Sequence, residues 1–394
     1  MRNNLFQVSL NNEVKFFEEG EAYYKHFLKM IADAKGVIHL QTYIFEMDNF
    51  GTEVKNELIR ASLRGVKVYL LVDAVGSKKL REGVISEFQS AGVFFCLFNE
   101  ISIRNWVGNW AVRWGRRLHH KILLVDSVAL VGGINVISAS FGHKNVEPYL
   151  DFAVHIDGSV IKDLSKYCET TFRRNYVKPI VFGFHPFHSK PNSHSGMSLK
   201  ISINDWILRR WQITQQYSHL VRSAKSDIVI INSYFFPRKK FMKQLIAAAH
   251  RGVRVRLILP KYSDWPSYVL ATQYLYSYFL KNGVEIYQWK KSILHGKLAT
   301  VDNSSATIGS FNLNYTSYQQ NLEMNVDLFS SEFTQNLNRK IDTWIVESCE
   351  KIDKKKITKK TTFKTYLAQI FFYTILSLVA NFSVAVTVRG LKSE

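Results

Sequence analysis

HHKILLVD (residues 119–126) and HGKLATVD (residues 295–302) decide how this chain is read. Both spell His-x-Lys-x4-Asp. Each is followed by a short glycine-bearing stretch that closes on asparagine, GGIN ending at Asn135 and GSFN ending at Asn312. An imidazole, an ammonium and an amide that occur twice point to two half-sites meeting around one anionic centre. Residues i and i+2 of a strand share a face, so His119 with Lys121, and His295 with Lys297, are expected to point into one cleft. His120 and Gly296 occupy the intervening positions and face away, which makes His120 structural.

Outward from the motifs the chain repeats itself. VIHLQTYIF (37–45) matches IVIINSYFF (228–236), and ASLRGVKVYLLV (61–72) matches AAHRGVRVRLIL (248–259). AGVFFCLF (91–98) matches NGVEIYQW (282–289), and the motifs follow at equivalent places. Helical spacing of Tyr23, Phe27, Met30, Ile31 and Ala34 predicts a helix over 19–35, and further helices are expected over 52–63, before Gly92 and over 205–224. Helices alternating with β-branched and aromatic runs give an α/β class with two duplicated domains, each a central sheet flanked by helices, sharing one active site. The expected organisation is a first domain at 1–177, a linker at 178–198, a second domain at 199–350 and a tail at 351–394.

The linker holds three of the seven prolines, Pro179, Pro186 and Pro191. Its His185, His188 and His194 have no cysteine or carboxylate at ligand spacing, so they are read as linker histidines and no metal is expected. Cys96, Cys168 and Cys349 are too widely spaced for a zinc or disulfide framework, which fits a reducing compartment. The first residues lack a continuous apolar core, so the catalytic part is expected to stay in the cytoplasm. A net charge of +20 over 394 residues calls for an anionic partner.

Two insertions break the symmetry. NWVGNWAVRWGRR (105–117) spaces Trp106, Trp110 and Trp114 along one helical face beside Arg113 and Arg117, which suits either a headgroup layer or a cleft wall. WPSYVLATQYLYSYFL (265–280) reads as helical and core-packed. Residues 351–364 then carry seven lysines against one aspartate, and no charge occurs over 365–388. As a helix that uncharged run reaches about 36 Å, enough for a bilayer core. Gln369, Tyr373, Ser377 and Asn381 nevertheless draw a polar stripe along it, favouring a helix in the interface or against the protein.

If the copies pair face to face, His119 and His295 flank one phosphate. One imidazole attacks phosphorus while the other protonates the departing alcohol, leaving a phosphohistidine. Lys121, Lys297 and the amides of Asn135 and Asn312 neutralise the non-bridging oxygens. Asp126 and Asp302 lie about 16 Å along the strand from the lysines, too far to touch the phosphate, and are expected to hold a turn. Asp151 in YLDFAVHI and Glu323 in NLEMNVDL align across the duplication. Each is expected to accept from a histidine Nδ1 and leave Nε2 for chemistry.

The motif pair resembles the phospholipase D superfamily, and more narrowly the bacterial cardiolipin synthases of the shorter type without N-terminal transmembrane helices. The similarity covers nearly all of residues 12–350. It implies transfer of a phosphatidyl group from phosphatidylglycerol to a second phosphatidylglycerol with release of glycerol, through a phosphohistidine and without a metal or other cofactor. His119, Lys121, Asp126, His295, Lys297 and Asp302 match the family's active-site positions. Two departures stand out: His120 where relatives usually carry arginine, and GG in the first motif where many members have GS. The expected partners are anionic phospholipids and a membrane surface, at the cytoplasmic face of the cell membrane, and not nucleic acid. The rival readings are a phosphodiesterase or nuclease using water, and a catalytically silent membrane scaffold.

Overall fold

The computed structural model describes residues 7–100, 116–138, 147–176, 196–353 and 362–392. Copy one runs β1 (Ser9–Glu18), α1 (Glu21–Asp33), β2 (Val37–Thr42), α2 (Asn49–Leu63), β3 (Lys67–Asp73), α3 (Glu82–Ser90), β4 (Phe94–Phe98), β5 (Lys121–Val125), β6 (Val128–Gly132), β7 (Phe152–Gly158) and α4 (Ile161–Asn175). Copy two repeats the order as β8 (Met197–Asp205), β9 (Arg210–Trp211), α5 (Gln212–Ser223), β10 (Asp227–Asn232), α6 (Lys239–His250), β11 (Arg254–Pro260), α7 (Pro266–Tyr274), α8 (Tyr276–Lys281), β12 (Glu285–Trp289), β13 (Lys297–Val301), β14 (Ser305–Gly309), α9 (Tyr315–Gln319), β15 (Glu323–Phe329), α10 (Ser331–Ser348) and β16 (Cys349–Ile352). A long helix, α11 (Phe363–Lys392), follows. The tryptophans at 106, 110 and 114, the linker histidines and most of the lysine run fall outside the described residues.

The strands join one sheet in the order β16-β12-β11-β10-β13-β14-β15-β8-β1-β7-β6-β5-β2-β3-β4, with β9 beside β8. Each copy contributes a parallel trio, β2-β3-β4 or β10-β11-β12, and an antiparallel set that carries its motif. All six residues of β2 are buried. Burial on both faces takes in the polar His39, Gln41 and Thr42 along with Val37, Ile38 and Leu40. Two apolar clusters belong to single copies. A third draws on both, from Ile122 and Phe152 to Ile231, Leu298, Met324 and Trp344, and welds the copies together.

The seam is β1 against β8, which meet at Ser9 and Asn12 with a shift in register. Here the expectation of a helix over 205–224 is corrected. Asp205 closes a strand whose Leu199, Ile201 and Ile203 are fully buried, and α5 begins at Gln212. The stretch at 265–280 is helical as read, split into α7 and α8.

The motif hairpins turn at Asp126 (φ 49°) and Asp302 (φ 51°), in the left-handed region that aspartate tolerates better than most residues. The Asp126 carboxylate accepts from the backbone N–H groups of Lys35 (2.9 Å), Gly36 (2.8 Å) and Val37 (2.8 Å). Asp302 accepts in the same way from Lys225 (2.7 Å), Ser226 (2.8 Å) and Asp227 (3.0 Å). Each carboxylate therefore pins the entry into the first parallel strand of its copy. Burial pushes the Asp302 carboxyl up, yet its backbone donors outweigh that and hold it below the ordinary value. Removing either side chain strands up to three donors, so Asp126→Ala is expected to cost about 1–3 kcal/mol of stability. Urea denaturation of Asp126→Ala checks this; an unchanged midpoint would show that the clamp contributes nothing.

Candidate active site

The main chain brings the two motifs together before any side chain is considered. Leu322 O accepts from the N–H groups of His119 (2.9 Å) and His120 (3.0 Å), and Leu322 N donates to Arg117 O (2.8 Å). In mirror fashion Leu150 O accepts from His295 (2.9 Å) and Gly296 (2.7 Å), and Leu150 N donates to Ile293 O (2.9 Å). Leu118 bridges Leu322 and Leu294 bridges Leu150, both in parallel sense. Each histidine is thus strapped to the strand of the other copy, one residue before that strand's carboxylate.

The side chains complete the exchange. His119 Nδ1 lies 2.9 Å from Glu323 Oε2, and His295 Nδ1 lies 2.5 Å from Asp151 Oδ2. An ionised carboxylate can only accept, so Nδ1 carries the proton in each ring and Nε2 keeps its lone pair. Glu323 also accepts from Ser310 Oγ (2.5 Å), Ser317 Oγ (2.6 Å) and Asn321 Nδ2 (3.1 Å). Burial alone would raise its carboxyl. His119, Lys121 and Ser310 outweigh burial and hold it below the ordinary range. At Asp151, too, burial pushes up while Lys297 and His295 prevail and lower it.

Burial pushes the His119 imidazole down to about 4, against the pull of Glu323 and with help from Lys121. His295 is lowered by burial and by Lys297, against Asp151. Both rings are accordingly neutral at pH 7, which makes each Nε2 a usable nucleophile. Burial also brings Lys121 down to about 7 against Glu323, and lowers Lys297.

A cavity of about 390 Å³ opens on this pair, lined among others by His119, His295, Asn135, Asn312, Arg117 and Tyr268. Asn135 Oδ1 accepts from Ile44 N (3.2 Å) and Asn312 Oδ1 from Ser233 Oγ (2.8 Å). With their oxygens engaged, the two amide groups offer NH2 to the cavity. The lysines depart from expectation. Lys121 Nζ donates to His119 O at 2.5 Å and Lys297 Nζ to His295 O, and neither lysine lines the cavity. A buried ammonium must be satisfied, and the carbonyl two residues back is at hand. Their charges act from behind the imidazoles. Asp126 and Asp302, grouped by resemblance with the active-site positions, sit at the far ends of their strands on the backbone clamps already described.

Several neighbours carried no mark in the reading of the motifs. Tyr43 packs against His119 with ring centres 5.1 Å apart, and Tyr234 against His295 at 6.0 Å. The aligned stretches QTYIF and NSYFF held that signal. Arg117 reaches the cavity while its Nη1 lies 3.4 Å from the buried Asp73. His120 points away: its Nε2 donates to Gln41 Oε1 (2.8 Å), because Gln41 Nε2 is already given to Cys168 O (2.9 Å). At the matching position Gly296 admits no side chain, since a Cβ would meet the Phe152 ring at 2.3 Å.

The GG-for-GS departure has a structural cause. A Cβ on Gly133 would sit 2.2 Å from Asp151 Oδ1. The second copy places Ser310 at that position, and its hydroxyl instead supports the longer Glu323. Aspartate goes with glycine, glutamate with serine. Among the described residues no group of three or more His, Cys, Asp or Glu side chains is placed to hold a metal.

The family described as cardiolipin synthase, PLD-like domain, matches residues 27–174 and 217–345. The chain belongs to that family. Cardiolipin synthase B of Shigella flexneri is 30% identical over 365 residues, spanning 92% of this chain and 87% of that protein. Cardiolipin synthase 1 of Staphylococcus epidermidis is 27% identical over 376 residues, 94% of this chain and 74% of that protein. The crystal structure of phosphatidylserine synthase from Haemophilus influenzae Rd KW20 superposes with a TM-score of 0.73 over 98% of both chains at 13% identity, a likeness of fold. The α/β class, the duplication and the family resemblance read from the sequence are borne out, and membership makes this an enzyme of the phospholipase D-like, phosphatidyl-transferring kind.

Two predictions follow from the geometry. Gly133→Ser forces Asp151 off His295 and should lower turnover roughly 10- to 100-fold, the scale seen when a histidine loses its orienting partner. Ser310→Gly should cost less, because Ser317 and Asn321 still hold Glu323; equal losses would refute the pairing. Stability should also fall on acidification. His119, His120 and His155 are pushed by burial to about 4, about 3 and about 4. The unfolded chain takes up protons below about pH 6.5 that these folded histidines refuse until near pH 4, so each removes about 2 kcal/mol by pH 5. Urea midpoints measured from pH 7 to pH 5 check the sign, and His120→Gln should flatten the slope.

Proposed function

We propose that the protein is a cardiolipin synthase, transferring a phosphatidyl group from one phosphatidylglycerol to another with release of glycerol. The observation that carries this reading is the facing pair of neutral histidines, each with Nδ1 held by the opposite copy's carboxylate and Nε2 free for chemistry. One Nε2 attacks phosphorus. The phosphorus–oxygen bond to the headgroup glycerol breaks, and the other imidazole, protonated on entry of the anionic substrate, gives its proton to the leaving alkoxide. That second ring, neutral again, takes the proton from a headgroup hydroxyl of the incoming phosphatidylglycerol. The hydroxyl oxygen attacks phosphorus and the phosphorus–nitrogen bond breaks, freeing the first histidine. Lys121, Lys297, Asn135, Asn312 and Arg117 oppose the charge on the non-bridging oxygens.

The family membership and the named relatives support phospholipid as the substrate class, and the +20 charge supports an anionic one. The site of action is the cytoplasmic face of the cell membrane. The decisive measurement supplies labelled phosphatidylglycerol in mixed micelles to the purified protein. Cardiolipin and glycerol are expected in equal amounts, with His119→Ala and His295→Ala each lowering the rate by about a thousandfold or more. Phosphatidic acid as sole product would make water the acceptor. Cleavage of nucleic acid in place of lipid, or no turnover at all, would overturn the proposal.

A further inference from the structure

The C-terminal helix α11 packs with its polarity reversed. Gln369 is 7% exposed, and its Nε2 donates to Gln273 Oε1 of α7 at 3.2 Å. Tyr373, next on the same stripe, sets its ring 4.6 Å from that of Tyr274 and 5.5 Å from that of Phe236. At Gln369 and Tyr373 the stripe therefore faces the protein. On the opposite side Phe363, Leu367, Phe371, Ile375 and Leu378 are 75, 49, 57, 38 and 62% exposed. At spacings of four, four, four and three they form one apolar ridge. A surface helix of a water-soluble protein buries such a ridge, and a contiguous exposed one marks a contact surface.

Three observations choose the occupant. The residues leading into α11 carry seven lysines against one aspartate over 351–364, in a chain of net charge +20. A second copy would bring a like charge, whereas an anionic bilayer carries the opposite one. The helix also sits at the rim of the catalytic cavity. It packs on α7, which starts beside Trp265 and carries Tyr268, and it touches α9, which carries Thr316 and Ser317; all four residues line the cavity. Trp265 is 60% exposed, an amphipathic ring of the type that settles among lipid headgroups. Finally, a membrane-spanning α11 would have to surrender the contacts of Gln369 and Tyr373 with α7 and Phe236.

We propose that α11 is an in-plane docking helix for an anionic bilayer surface, tethered to the catalytic body by its polar stripe so that the cavity opens against the headgroups. The proposal rests on the lipid-substrate reading above, but its test reads binding and topology instead of turnover. Full-length protein is floated with sealed phosphatidylcholine vesicles containing or lacking phosphatidylglycerol. The wild type floats with the phosphatidylglycerol vesicles and its tryptophan emission shifts to the blue. The Leu367→Glu/Phe371→Glu variant, changed only at exposed positions, keeps its melting temperature and loses roughly tenfold or more in partitioning. A tag placed after Glu394 stays open to added protease. Undiminished flotation of the variant, a protected tag, or self-association that the variant abolishes without vesicles present would each overturn the proposal. Protein that floats as expected but leaves phosphatidylglycerol unchanged would sink the synthase reading alone.

Discussion

Leu150 and Leu322 hold the site together through their backbones. Each accepts at its carbonyl oxygen from two consecutive N–H groups of the opposite copy and donates its own N–H to a carbonyl of that copy. The exchange fixes where each histidine lies relative to the carboxylate one residue further along. The tautomers and the lone pairs left at Nε2 depend on it, while burial keeps the rings neutral. Deep burial strengthens the arrangement, since the desolvation that lowers His119 and His295 is the same desolvation that makes Asp151 and Glu323 need their partners.

The two half-sites are related but unequal. Glu323 collects donors from two serines and an asparagine, all of copy two, in addition to His119. Asp151 receives the N–H of Phe152 (2.8 Å) as well as His295. Their surroundings differ in length, in hydroxyl support and in the space left by Gly133. Two histidines that align in sequence thus lie in different polar settings, and under the mechanism proposed above that inequality is a physical basis for dividing nucleophile and acid between them.

Much of this was legible in the sequence because it was written twice. Apolar runs with matching neighbours located β2, β3, β4 and their counterparts, and the alignment of YLDFAVHI with NLEMNVDL singled out Asp151 and Glu323. Which histidine each carboxylate serves was not legible, since the crossing is a tertiary event with no local signature. The seam escaped for another reason. β1 is largely open to solvent and mixes asparagine, lysine and glutamate with its apolar residues, so its pattern is weak, while β8 follows directly on a proline-rich stretch. The i, i+2 rule located the lysines on the correct strands but carried no information on which oxygen their ammonium groups would find.

The crossing also binds the histories of the two copies. A residue that drifts in copy one alters the environment of a histidine in copy two, so neither half is free to diverge alone. Aspartate with glycine and glutamate with serine read as two matched sets, each internally consistent. A chimera that transplants one copy from a relative would separate every histidine from the carboxylate it was selected with, and the inheritable unit of this site is the pair.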